Sequence, residues 1–269
     1  MNARAAFRDL HRPGRPLLLP NAWDHASAAA LAARGHPAVG TTSLGVAAAA
    51  GKPDAEGAIR AENVALARRL RDLPVPVSVD IEGGGSDDPA AVAEHVAELA
   101  ALGVAGVNLE DGRPDGSLAP AELMAAKIAA VRAAAPDVFL NARTDAWWLG
   151  VPEPLPEALE RARVYRDAGA DGFFVPAAPD DLLPRLAAHA GRPLNVLYRP
   201  GGLSVPELGR LGVARVSTGS LLFRAALGAA LHVAEVARTG READAGRADV
   251  PAYEWVAGLS VPDSAGRRP

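Results

Sequence analysis

Short apolar runs alternate with longer stretches of helical character along nearly the whole chain. The runs are Leu17–Pro20, Ala38–Thr42, Val75–Asp80, Gly106–Glu110, Val138–Asn141, Gly172–Val175, Leu194–Leu197 and Ala214–Ser217. Each is short and bounded by turn residues, which predicts a strand. Helices are predicted at Trp23–Arg34, Ala58–Leu73, Pro89–Leu102, Pro120–Ala134, Leu155–Ala168, Asp180–His189, Val205–Leu211 and Leu221–Arg238. Two open on Asp88-Pro89 and Ala119-Pro120, and several stop at glycine, as at Gly103 and Gly169. Eight strands alternating with eight helices imply a parallel sheet closed into a (β/α)8, or TIM, barrel. An open doubly wound sheet would carry a glycine-rich first turn, whereas the first turn here is Pro20-Asn21-Ala22-Trp23. The barrel domain is expected to occupy residues 1–240. A polar, Pro/Gly-rich extension over 241–269 is expected to be partly disordered, with one short element near Pro251–Gly258.

Composition narrows the function classes. At 269 residues and 49% hydrophobic content, the chain can bury one large core. A net charge of −4 leaves no basic stripe for phosphates, so no nucleic-acid partner is expected. The absence of cysteine excludes disulfides, thiolate metal ligands and a cysteine nucleophile. The N-terminal segment is too polar for a secretory signal, and no apolar run approaches the roughly 20 residues of a membrane span. A cytoplasmic protein without a membrane partner is the expectation. The last helix is apolar around most of its circumference, which predicts a homodimer or homotetramer in which a second copy covers it.

Charge is concentrated where the strands end. Asp80 and Glu82 close one run, Glu110 and Asp111 the next, and Asn141, Arg143 and Asp145 a third. These positions share the C-terminal rim of a parallel barrel, where such folds build active sites. Carboxylates there suit a hard divalent cation that keeps several waters. A nearby guanidinium can hold a carboxylate in a bidentate fork. The alternatives are helix capping or ion pairing: Arg143 with Glu110 or Asp145, and Asp111 with Arg143 or another arginine. The turn Thr42-Ser43-Leu44-Gly45 offers backbone N–H groups and a hydroxyl to a second carboxylate end, or serves only as a turn. The six histidines lack metal-ligand spacing and read as surface or helix-end residues.

The segments NAWDHASA (from Asn21), GTTSLGVAAAAGKPD (from Gly40), VSVDIEGG (from Val77), GVNLEDG (from Gly106), NARTDA (from Asn141) and NVLYRPGG (from Asn195) follow one another in this order. Together they resemble the isocitrate lyase/phosphoenolpyruvate mutase superfamily, in particular its short carboxyvinyl-carboxyphosphonate phosphorylmutase-like and 2-methylisocitrate lyase-like members. The resemblance covers about Leu17 to Arg238. It implies a barrel whose last helix is often exchanged between subunits. It also implies Mg2+, with Mn2+ as a substitute, and chemistry beside an α-keto acid through a metal-bound pyruvate enolate. Asp80 is then the direct metal ligand, with Glu82 and Glu110 in its water shell. Thr42, Ser43, Leu44, Gly45, Arg143 and Asn195 bind the substrate carboxylate, and Asp54 lies near the reaction centre.

The loop after the fourth strand departs from the superfamily. Its lyases carry Lys-Arg-Cys-Gly-His there and its mutases a Lys and an Asn, but this chain has Gly112-Arg113-Pro114-Asp115-Gly116-Ser117-Leu118. Arg113, Asp115 and Ser117 remain to act on the leaving group, and Arg113 joins Asp54 and Arg143 as the catalytic candidates. The expected activity is Mg2+-dependent C–C cleavage or oxaloacetate-type decarboxylation of a small carboxylate substrate. P–C chemistry on phosphoenolpyruvate or phosphonopyruvate and non-catalytic keto-acid binding are the alternatives.

Overall fold

The computed structural model describes residues 3–240, 250–252, 255–256 and 258–259. Nine parallel strands form one sheet: β1 (Leu17–Leu19), β2 (Asn21–Ala22), β3 (Val39–Thr41), β4 (Val77–Asp80), β5 (Gly106–Glu110), β6 (Phe139–Arg143), β7 (Gly172–Phe174), β8 (Leu194–Leu197) and β9 (Val213–Ser217). β1 pairs with β9 and β2 with β3. The two short strands are halves of one stave broken at Pro20, which has no N–H to give to a ladder. Their pairing closes the ring, so nine strands make the expected (β/α)8 barrel.

The helices fall where periodicity places them: α2 (His25–Ala33), α4 (Arg60–Leu70), α5 (Pro89–Ala101), α6 (Ala121–Ala134), α7 (Pro154–Asp167), α8 (Leu183–Ala190), α9 (Val205–Arg210) and α10 (Leu221–Thr239). Asp88 caps α5 by accepting from Ala90 N at 3.0 Å, with Pro89 in the first turn. Gly103 follows that helix at φ 92°, a conformation few other residues adopt cheaply. Two helices escape periodicity. α1 (Ala3–Asp9) lies before the barrel, and α3 (Ser43–Ala49) begins inside the segment expected to be a turn.

Period-two alternation explains how strands buried on both faces carry polar residues. On β5, Val107 and Leu109 belong to the main apolar cluster shared with the helices, while Asn108 and Glu110 belong to the opposite, inward set. Asn141 with Arg143, and Arg215 with Ser217, repeat this pattern on β6 and β9. A second cluster of Phe7, Leu17, Leu19, Ala38, Ala105 and Phe139 fills the lower barrel, and Phe7 of α1 plugs its base.

Two histidines depart from the surface expectation: His11 and His95 are buried. His11 stacks on Phe139 at 4.0 Å and donates from Nδ1 to Phe7 O at 2.8 Å. Burial, reinforced by Arg215, lowers its pKa to about 3. As pH falls through 6.5 the unfolded chain gains this proton and the folded chain does not. His11 is therefore expected to lower stability progressively from about pH 6.5 toward pH 3. Urea unfolding across that range should show a shallower acid loss in His11→Phe, and an identical slope in both proteins would contradict the assignment.

Helix α10 leaves Leu227, Leu231 and Val233 about half exposed or more, the residues for which a covering neighbour is expected. No described helix is long and apolar enough to cross a membrane. Near Pro251–Gly258, Trp255 and Val256 are helical and Arg34 lies over the Trp255 ring at 5.6 Å. The other residues of that element, and most of 241–269, lie outside the described residues.

Candidate active site

Asp80 ends β4 inside the barrel mouth. Asn63 Nδ2 donates to its backbone oxygen at 3.2 Å, and its own N–H donates to Thr41 Oγ1 at 3.0 Å. Its Oδ1 is buried and accepts no hydrogen bond. Burial raises the Asp80 pKa, and Asp54 adds to this; Arg143 and the backbone N–H groups of Glu82 and Ser43 oppose it. Glu82 follows in a left-handed conformation, φ 52°. Its Oε1 accepts from Ala55 N at 2.9 Å and its Oε2 from Gly57 N at 2.8 Å. Each oxygen thus holds the loop that follows Asp54 and keeps a second lone pair for a water of the expected metal shell. Burial, with Asp80 and Asp54 nearby, still raises the Glu82 pKa to about 7.

The neighbouring strands supply the ion cluster. Glu110 of β5 pairs in register with Arg143 of β6. Arg143 Nη1 lies 2.6 Å from Glu110 Oε2, and Nε donates to Asp145 Oδ1 at 2.7 Å, so both ion-pair alternatives are realised. The Glu110 contact is a close ion pair but not an aligned hydrogen bond, since Oε2 accepts none. Burial pushes Glu110 well above the usual carboxylate range against the pull of Arg143. Burial also opposes the charge on Arg143, but Glu110, Asp145 and Asp80 outweigh it. Asp111 faces away, accepting from Arg161 Nη1 at 3.0 Å, Tyr165 OH at 2.7 Å and Asp145 N at 2.8 Å. Its partner is Arg161, and it steadies the acid that holds Arg143.

These groups face a cavity of about 180 Å3, which Thr42, Ser43, Leu44, Asp54, Asp80, Glu110, Arg113 and Arg143 also line. Gly45 sits behind that wall, where a Cβ would come 2.8 Å from Thr42 Cγ2 and Trp23 Cβ. Asn195 is fully buried, with Oδ1 accepting from Ser217 Oγ at 3.3 Å and Nδ2 without a hydrogen-bond partner. Arg113 reaches the mouth but its Nη2 donates to Asp87 at 2.7 Å. Ser117 Oγ donates to Asp115 Oδ1 at 2.6 Å across a small hairpin closed by the Gly112–Leu118 bridge. Trp148, Leu149, Phe174, Pro176 and Leu197 form an apolar side. The strand ends alone did not reveal Asn21, Asn108 and Ser217 in the lining, or Arg215 buried beside them. The inward alternation, read back two residues from Glu110, is the signal that would have found Asn108. Burial lowers the Arg215 pKa to about 9, against the pull of Asp80.

Among the described residues, no three His, Cys, Asp or Glu side chains converge as a ready metal cage. Asp80 Oδ1 and Glu110 Oε2 are nevertheless buried carboxylate oxygens without a hydrogen-bond donor. Mg2+ is commonly held by one or two carboxylates together with waters and substrate, so this donor set fits it.

The family described as phosphoenolpyruvate phosphomutase matches residues 7–238. A Mycobacterium tuberculosis protein of uncharacterized activity is 48% identical over 238 residues, 88% of this chain and 90% of its own. The 2-methylisocitrate lyase of Bacillus subtilis is 34% identical over 182 residues, 62% of this chain and 58% of that enzyme. A solved Burkholderia cenocepacia structure, named as a candidate phosphonomutase, superposes with TM-score 0.83 at 39% identity, covering 87% of this chain and all of that one. With a match across the whole barrel, the chain belongs to the phosphoenolpyruvate phosphomutase family, in the isocitrate lyase/phosphoenolpyruvate mutase superfamily of lyases and mutases.

Proposed function

We propose that the chain is a divalent-metal-dependent lyase that cleaves a C–C bond beside a small α-keto acid, or decarboxylates one of oxaloacetate type. The observation that carries this reading is a fixed guanidinium, Arg143, sharing a small cavity with Asp80, whose buried Oδ1 accepts no hydrogen bond, and with the guanidinium's ion-pair partner Glu110. Asp80 and Glu110 would hold the cation. When bound, Mg2+ (or Mn2+) supplies stabilisation of negative charge developing on the 2-oxo oxygen. Arg143 binds the substrate carboxylate and is held in place by Glu110 and Asp145. Ser43 and Leu44 offer a hydroxyl and a backbone N–H to the opposite end. Asp54, at the exposed rim on a loop tied down by Glu82, is placed to move a proton on the departing group.

The lining favours C–C over P–C chemistry. Trp148, Leu149, Phe174, Pro176 and Leu197 make one side of the cavity apolar. An alkyl leaving group suits that apolar side better than a phosphonyl dianion does. A coupled pyruvate-release assay with Mg2+ against oxaloacetate, 2-methylisocitrate and phosphonopyruvate tests this. Release from one of the first two is expected. Release from phosphonopyruvate alone would overturn the preference for C–C cleavage. Tight oxalate binding without product from any of them would favour a binding protein.

A further inference from the structure

Asn108 has a fixed orientation. It lies on β5 opposite Asp80 on one side and Asn141 on the other, and it lines the cavity. Its Oδ1 accepts from Arg215 Nη2 at 3.1 Å and from Asn141 Nδ2 at 3.0 Å. Arginine only donates, so the atom facing it is the oxygen and the amide cannot be flipped. Arg215 is itself held on β9, its Nε donating to Ser217 Oγ at 3.0 Å, and Ser217 Oγ donates onward to Asn195 at 3.3 Å. The Nδ2 group is consequently the side of Asn108 turned from these donors, and the described side-chain hydrogen bonds of Asn108 all run to Oδ1.

We propose that Asn108 is a substrate-contacting residue whose Nδ2 donates to an oxyanion of the ligand held by Arg143, and that Arg215 is the positioning residue that locks this donor. This rests on the keto-acid reading and deepens it. The ligand atom next to Asn108 must accept a hydrogen bond, as a carboxylate or a 2-oxo oxygen does. It also gives a purpose to a guanidinium buried in the barrel next to the cavity, where an apolar residue would fill the space without desolvating a charge.

The test is calorimetric titration with Mg2+ alone and with oxalate in the presence of Mg2+, since oxalate mimics the enolate of pyruvate. In Asn108→Ala, oxalate affinity is expected to fall about 10- to 100-fold, the range for one hydrogen bond to a charged group, with Mg2+ affinity unchanged. Arg215→Lys, which can still present one donor to Asn108, should retain more of the affinity than Arg215→Met. Asn108→Ala leaves Arg215 in place and keeps the test decisive if the Arg215 variants misfold. Wild-type binding of oxalate with no loss in Asn108→Ala would overturn the inference alone. An equal loss of Mg2+ affinity would also overturn it, because Asn108 would then act through Asp80. A wild-type protein that binds no oxalate would sink the keto-acid reading, and this inference with it.

Discussion

Asp80→Asn is expected to abolish metal-induced stabilisation and lower turnover by about 1000-fold or more, the scale of several kcal/mol of lost charge stabilisation. The same change should leave the melting temperature without metal unchanged or higher. Burial already disfavours the charged form of Asp80, and Asp54 disfavours it further. The amide keeps the side chain's size and an oxygen for the backbone N–H groups of Ser43 and Glu82. One term runs the other way, because Asp80 is the charge that supports the buried Arg215. Thermal unfolding with and without Mg2+ separates these effects. A full Mg2+ shift in Asp80→Asn would place the metal elsewhere, while a large loss of apo stability would show that Asp80 serves mainly as a counter-ion.

Asp111→Ala should give the largest stability loss of any single acid. Asp111 is fully buried and joins Arg161, Tyr165 and the Asp145 backbone. Burial raises its pKa despite these partners, so the intact pair is not strongly stabilising in itself. Removing Asp111 takes the carboxylate from Arg161 Nη1, the Tyr165 hydroxyl and the Asp145 N–H at once, although Arg161 keeps Glu157 at 2.6 Å and the Ala119 oxygen at 2.9 Å. Leaving buried donors without their acceptor costs about 1–3 kcal/mol. Equilibrium urea unfolding would measure this, and a loss below about 1 kcal/mol would contradict the clamp role. Oxalate affinity should weaken as well, because Asp145, and through it Arg143, loses an anchor.

The barrel was legible because outward residues such as Val107 and Leu109 make each strand an apolar run, and because the strand-end acids break it. The Ser43–Ala49 helix was hidden: a serine and a glycine at its start resemble a turn, and only packing against Trp23 and Thr42 shows that Gly45 is there to allow close approach. Composition places Glu82 beside Asp80, but its left-handed backbone sends the carboxylate to the Ala55–Gly57 amides. Asn195 was drawn in by resemblance, and no pattern in its strand announces the Ser217 bond that fixes its Oδ1. His11 and His95 looked like helix-end residues because burial by a distant segment leaves no local trace. Arg215 is the clearest case: a charge inside a short strand reads as a boundary unless the alternating inward face is followed around the ring.

Calorimetric titration of the wild-type protein with oxalate, with and without Mg2+, tests the metal-dependent keto-acid site most directly. Oxalate is expected to bind with Mg2+ present and to lose nearly all affinity when the metal is chelated, because the acids around Arg143 then repel the dianion without a cation between them. Equal affinity with and without Mg2+, or no binding in either case, would contradict a metal-dependent keto-acid site at Asp80, Glu110 and Arg143.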